Sequence, residues 1–126
     1  MAFVENIIWN LEESYFVNLY KANYQFVIAL YDDHFLGWPS GLKQPIGVEE
    51  SSRFMKQLIP EPTSCTIRIE REGISILGTT ALTQYTLLVD CKDSSGKVKT
   101  KRSRITHTWI KKGKSWKLFG GMSIDQ

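Results

Sequence analysis

Long apolar runs are missing from this sequence. No stretch approaches the ~18 to 20 consecutive apolar residues of a membrane helix, and the opening MAFVENIIWNLEE carries neither a basic leader nor a small-residue cleavage site. A cytoplasmic chain with no membrane partner is the expectation. Cysteine is scarce as well: Cys65 and Cys91 stand alone on separate expected strands, without the CxxC spacing of a metal knuckle or redox pair. In a reducing compartment two such thiols read as small core residues, and no metal site is expected. Also absent are the glycine-rich phosphate loops, the GxSxG elbow and the HExxH helix, which argues against nucleotide, serine-hydrolase and zinc chemistry and implies no cofactor.

What the chain does have is enough material for one domain, residues 1–126, with a core that needs no staple. Its four Trp and five Tyr belong to a 12% aromatic content, which suits a deep pocket or an interface and suits a large core equally well. The net charge of +3 hides an asymmetry, because ten of the sixteen basic residues lie between Lys92 and Lys117 and only Asp93 opposes them there. These charges alternate with Val98, Thr100, Ile105, Trp109 and Trp116 at strand spacing, the pattern of a sheet's wet face and turns. No nucleic-acid motif accompanies them, so nucleic acid is not an expected partner.

Apolar residues recur at helical spacing through Phe3, Ile7, Leu11, Tyr15 and Leu19, with Glu5, Glu12 and Glu13 off that stripe, which predicts a long first helix. Asn23 is placed to cap a second helix carrying Phe26, Val27, Leu30 and Tyr31, broken by the structured loop Gly37-Trp-Pro-Ser-Gly41. A third helix is expected over 47–59, with Phe54, Met55, Leu58 and Ile59 inward and Pro60 and Pro62 closing it. From Cys65 the period becomes two, with a hairpin turn expected at Glu72-Gly73, a bulge or bend at Gly78, and turns at Asp93–Gly96 and Lys112-Gly113-Lys114. Four strands of antiparallel meander result. Helices followed by antiparallel strands give an α+β fold, three N-terminal helices packed on one face of a strongly curved antiparallel sheet. Partial filling of the concave face would leave a small-molecule cavity.

Three segments in this order carry a resemblance: Trp9-Asn-Leu-Glu-Glu-Ser-Tyr15, Tyr31-Asp-Asp-His-Phe-Leu-Gly-Trp-Pro-Ser40, and Arg104-Ile-Thr106 with Trp109, Gly113 and Trp116. They resemble the nuclear transport factor 2-like superfamily, in particular its SnoaL-like and ketosteroid-isomerase-like small proteins. The resemblance implies a cone-shaped α+β barrel with a hydrophobic pocket, often a homodimer through the outer sheet face. It implies no reaction, since the superfamily holds enzymes and non-catalytic modules alike.

Asp32 and Asp33 at an expected helix end, Asp90 near a strand end and Asp93 in a turn are solvated positions, poor for a buried catalytic acid. His107, in mid-strand, is the candidate acid/base group; it shares a face with Ile105 and Trp109, opposite Arg104, Thr106 and Thr108, and either face can be the concave one. Tyr85 shares a face with Ala81, Thr83, Leu87 and Val89 and can orient a ligand through its hydroxyl. The candidate lining is Trp9, Tyr20, Tyr31, His34, Phe35, Trp38, Tyr85, Arg104 and Trp109. For each of them the plain alternative is a core or surface position. Gly120-Gly121 reads as close backbone approach in the last strand. The function these features favour is a binding or dimeric assembly module that holds a small apolar molecule. The alternative is a cofactor-independent isomerase or dehydratase acting on a small apolar carbonyl compound.

Overall fold

The computed structural model describes residues 2–126. Its elements are α1 (Ala2–Tyr20), α2 (Tyr24–Ala29), β1 (Tyr31–Trp38), α3 (Val48–Leu58), β2 (Thr66–Leu77), β3 (Thr80–Lys92), β4 (Val98–Lys112) and β5 (Ser115–Asp125). The α+β order of the sequence reading holds, with two differences in the sheet. It has five strands rather than four, in the order β1-β5-β4-β3-β2, and it is mixed, because β1 runs parallel to β5 while the other neighbours are antiparallel.

β1 occupies residues expected to be the end of a helix and a loop. Its alternation is masked by Asp32-Asp33 and by Gly37, residues depleted in strands, and its pairing with β5 shifts register between Tyr31 and Leu36. The helix before it is correspondingly short. Asn23 does not cap it through its side chain; the Asn23 amide donates instead to Asn18 Oδ1, and α1 closes through the left-handed Ala22, φ 58°, whose N–H donates to Leu19 O. Of the expected inward set of α3, Met55 and, just beyond the helix, Ile59 are buried, Phe54 is half-buried and Leu58 is 44% exposed.

The β2–β3 hairpin reverses the two expected irregularities. The turn falls at Gly78, whose φ of 58° suits a tight hairpin, and the register shift falls between Arg71 and Gly73. The turns at Gly96 and Gly113 stand where the sequence put them, both with positive φ. Cys65 and Cys91 correct a further expectation. The pairing of Thr66 with Asp90 sets them opposite each other at the next position, and they form a disulfide. Neither is a free thiol, and since disulfides persist chiefly in oxidising surroundings, the argument from a reducing compartment loses its basis.

One face of the sheet meets the helices. Ala81, Tyr85, Leu87 and Val89 of β3, Ile105 and Trp109 of β4 and Leu118 of β5 pack there against Ile8, Trp9, Tyr15, Phe16 and Leu19 of α1. The buried positions of α1 thus lie at spacings of one, four, seven, eight and eleven from Ile8, a stripe rotated from the expected one; Phe3 is exposed. Among the described residues no helix is long and apolar enough to cross a membrane.

Candidate functional site

The residue at the centre of the rotated stripe is Glu12, which is fully buried. A carboxylate there is tolerable only if donors replace its water, and four do. Thr83 Oγ1 (2.6 Å) and Trp109 Nε1 (2.9 Å) donate to Oε2, while Tyr85 Oη (2.7 Å) and His107 Nδ1 (2.7 Å) reach Oε1. Strand alternation explains the convergence: Thr83 and Tyr85 are next-but-one neighbours on β3, as are His107 and Trp109 on β4, and Thr83 pairs directly with His107 in register. Burial pushes the Glu12 carboxyl up, but the charge of His107 and the hydrogen bonds from His107, Thr83 and Trp109 outweigh it and hold the group below its ordinary 4.5. An ionised carboxylate has no proton to give, so Nδ1 is the donor in the His107 bond.

The second polar pair is Tyr15 with Tyr31, their hydroxyls 2.6 Å apart. Burial raises the Tyr15 phenol well above 10, and raises Tyr31 to about 12 against the opposing hydrogen bond from Tyr15. Burial, with the Glu12 carboxylate beside it, raises Tyr85 well above 10 as well. All three are therefore neutral O–H groups.

Above this layer, between α1, α3, β1 and the sheet, lies a cavity of about 130 Å³. Tyr15, Phe16, Tyr31, Phe35, Met55 and His107 form much of its wall, with Trp38 at β1's end. Gly121 makes the space for the imidazole: a Cβ there would come within 2.5 Å of His107 Cδ2 and 2.7 Å of the Thr106 carbonyl. Gly120 lies against the Leu36 carbonyl, 3.0 Å from where a Cβ would stand. Both bear out close backbone approach in β5.

Of the candidates from sequence, the structure brings Tyr31, Phe35, Trp38 and His107 to this cavity. Trp9, Tyr85 and Trp109 lie in the core behind it, the latter two as donors to Glu12. The concave face is the one carrying His107, so Arg104 falls on the outer side and lines a separate, open groove. His34 is 82% exposed beside Asp32, and Tyr20 is half-buried at the end of α1, outside the lining. Asp32 is a correction of its own. It is buried on β1, bonded to Lys112 and accepting the His34 N–H at 2.9 Å, and the Lys112 bond, followed by that of the His34 amide, lowers its pKa.

Glu12 is the residue that sequence reasoning passed over. The available signal was the spacing of Ile8, Trp9, Tyr15, Phe16 and Leu19, which centres on position 12 and leaves a charged residue in the middle of an apolar face. Among the described residues no cluster of His, Cys, Asp and Glu is able to hold a metal ion. The arrangement can orient an imidazole and present it to a small apolar space, as an acid partner does in a general-base pair.

The same architecture appears in known proteins. The association domain of C. elegans calcium/calmodulin dependent protein kinase II has a TM-score of 0.87 at 16% identity, over 98% of this chain and 96% of that one. The S. rosetta hub of that kinase has a TM-score of 0.77 at 14% identity, over 94% of each chain. A nuclear transport factor 2-like protein of Pseudomonas putida scores 0.75 at 16% identity, over 98% of this chain and 87% of that one. No curated protein matches the chain. The family model for the calcium/calmodulin dependent protein kinase II association domain matches residues 5–120. The chain therefore belongs to the family of that association domain, an oligomeric assembly module with the nuclear transport factor 2-like fold.

Proposed function

We propose that this chain is a self-assembling module that associates through the outer face of its sheet, and that its inner cavity holds a small apolar molecule. The observation that carries the assembly role is the set of apolar side chains turned away from the core. The register aligns Leu82, Thr108, Gly120 and Leu36 in one row across β3, β4, β5 and β1, with Met122 and Ile124 two and four residues further along β5. Leu36, Met122 and Ile124 are each more than half exposed, and Leu82 is 40% exposed. Apolar groups gathered on one sheet face mark an interaction surface, and the family's assembly role supplies a second copy of the chain as the partner. Beside them runs an open groove of about 780 Å³ lined by Gln84, Thr86, Arg104, Thr106, Met122 and Ile124.

The test is light scattering during size exclusion on the wild type and on the double variant Leu36→Glu, Ile124→Glu. An oligomer reduced to a smaller species by the double variant, with the thermal midpoint of the fold little changed, is the expected result. A wild type that runs as a monomer at every concentration would dismiss assembly.

The alternative, an isomerase-type enzyme, has one observation in its favour, the Glu12–His107 pair facing an apolar cavity. It calls for His107-dependent exchange of the α-hydrogen of a small ketone into deuterated water. Exchange unchanged in His107→Gln would remove it.

A further inference from the structure

The cavity's polar inventory specifies more than an apolar occupant. No buried side-chain nitrogen or oxygen lacks a partner among the described residues, and the hydrogen bonds of the His107 ring run through Nδ1, to Glu12 and Tyr85. Nε2 therefore keeps access to the cavity that His107 lines. With Nδ1–H committed to the carboxylate, Nε2 is the ring nitrogen left to pair with a ligand in that space. The Tyr15–Tyr31 pair contributes the complement. Two hydroxyls carry two protons, their mutual bond uses one, and each has the other as its partner. One O–H is thus left to donate on the same cavity wall, where Tyr15 stacks edge-on to His107 at 5.5 Å between centroids. Ser51 and Ser123 add the remaining lining hydroxyls, the latter accepting from the Ser40 amide.

A hydroxyl meets both walls at one atom, because its oxygen accepts from the tyrosine pair and still has a proton and a second lone pair with which to meet Nε2 as donor or as acceptor. The lining holds no Lys, Arg, Asp or Glu, and the imidazole already faces the Glu12 carboxylate, so an anion would find no uncompensated positive charge. The volume sets the body of the ligand: about 130 Å³ is close to the ~150 Å³ of an apolar cavity that takes benzene, and Phe16 and Phe35 offer ring faces and edges. We propose that the cavity binds a single-ring phenol, whose hydroxyl pairs with His107 Nε2 and accepts the spare proton of the Tyr15–Tyr31 pair. This deepens the pocket half of the function proposed above and rests on it; the assembly half is independent.

The chain has two histidines, which makes ¹⁵N NMR of the labelled imidazoles a direct readout, with the exposed His34 as internal control. Phenol, toluene and benzoate are titrated separately into the full chain. Phenol is expected to move the His107 Nε2 resonance, leave His34 in place and bind roughly tenfold tighter than toluene, the worth of one or two net hydrogen bonds. In the double variant Tyr15→Phe, Tyr31→Phe that preference is expected to shrink several-fold while toluene binding persists. Toluene binding as tightly as phenol, with Nε2 unmoved, would overturn the hydroxyl site and leave the apolar pocket standing. Benzoate binding more tightly than phenol would overturn the neutral chemistry. Failure of both phenol and toluene would overturn the pocket itself.

Discussion

The two faces of the sheet are made by the same strands through the same alternation, yet their polar groups are held on different terms. On the inner face Thr83, Tyr85, His107 and Trp109 all converge on the one buried carboxylate of Glu12. On the outer side Asp90 has a donor set of similar richness, Arg68 through two nitrogens and Thr100 through its hydroxyl, but within reach of water. Water decides what each cluster is worth. An unpaired group on the inner face has nothing to replace its partner, whereas one on the outer side is resolvated. Stability should therefore follow the inner face, and solubility and association the outer one.

The most severe way to break this contrast is Glu12→Ala. It strands four donors and opens a void, and we expect it to cost about 3 to 5 kcal/mol, the range for removing one partner of a buried ion pair, read as a lower urea midpoint. Asp90→Ala should barely move that midpoint. Comparable losses in the two variants would mean that the inner cluster is not the keystone its geometry indicates.

The Cys65–Cys91 link, which joins the start of β2 to the end of β3 across 26 positions, comes next. Replacing both cysteines by Ser removes a constraint on the unfolded chain worth roughly 3 kcal/mol in the loop-entropy account. Thermal unfolding of the wild type with and without reductant should show the same drop, and the double Ser variant should be insensitive to reductant. Tyr85→Phe sharpens the comparison further, since it removes one donor and almost no volume. The expected loss is about 2 kcal/mol, the scale of a hydrogen bond to a charged group, and urea denaturation beside Thr106→Val on the outer face would show whether a donor matters only where water is excluded.

The sequence disclosed the order of helices and strands, which residues of β3 and of β4 share a face, and the close approach at Gly120 and Gly121, because strand alternation and glycine placement are local signals. It concealed β1, whose partner β5 lies some eighty residues away and whose Asp32-Asp33 and Gly37 look like loop. Asp32 is buried only because Lys112 arrives from the β4–β5 hairpin, a contact that no local pattern encodes. Glu12 was hidden for a related reason: a glutamate on a helix reads as solvent-facing until the four donors that excuse it are seen to come from other strands. The cysteines were read by compartment, while their pairing was set by β2–β3 register. The pocket was half legible. Aromatic richness put Tyr31, Phe35 and Trp38 in view, and choosing the His107 face over the Arg104 face required the sheet's curvature.

The smallest expected effect concerns acid. Glu12 and Asp90 both have carboxyls held below their ordinary values, near 4.5 and 3.8, Asp90 at about 2 through its bonds to Arg68 and then Thr100. A carboxyl with a depressed folded value binds fewer protons folded than unfolded, so its stabilisation is complete above the ordinary value and is lost as the pH falls through the depressed one. For Asp90 that window runs from about pH 3.8 down to about 2. Asp90→Asn should thus flatten the stability profile only in that interval, and because the pair is exposed, added salt should erase most of the difference from wild type. Thermal midpoints from pH 2 to 7 at low and high salt would show it. A difference that survives high salt at neutral pH would place Asp90 among the structural carboxylates with Glu12, and the division between the two sides of the sheet would have to be redrawn.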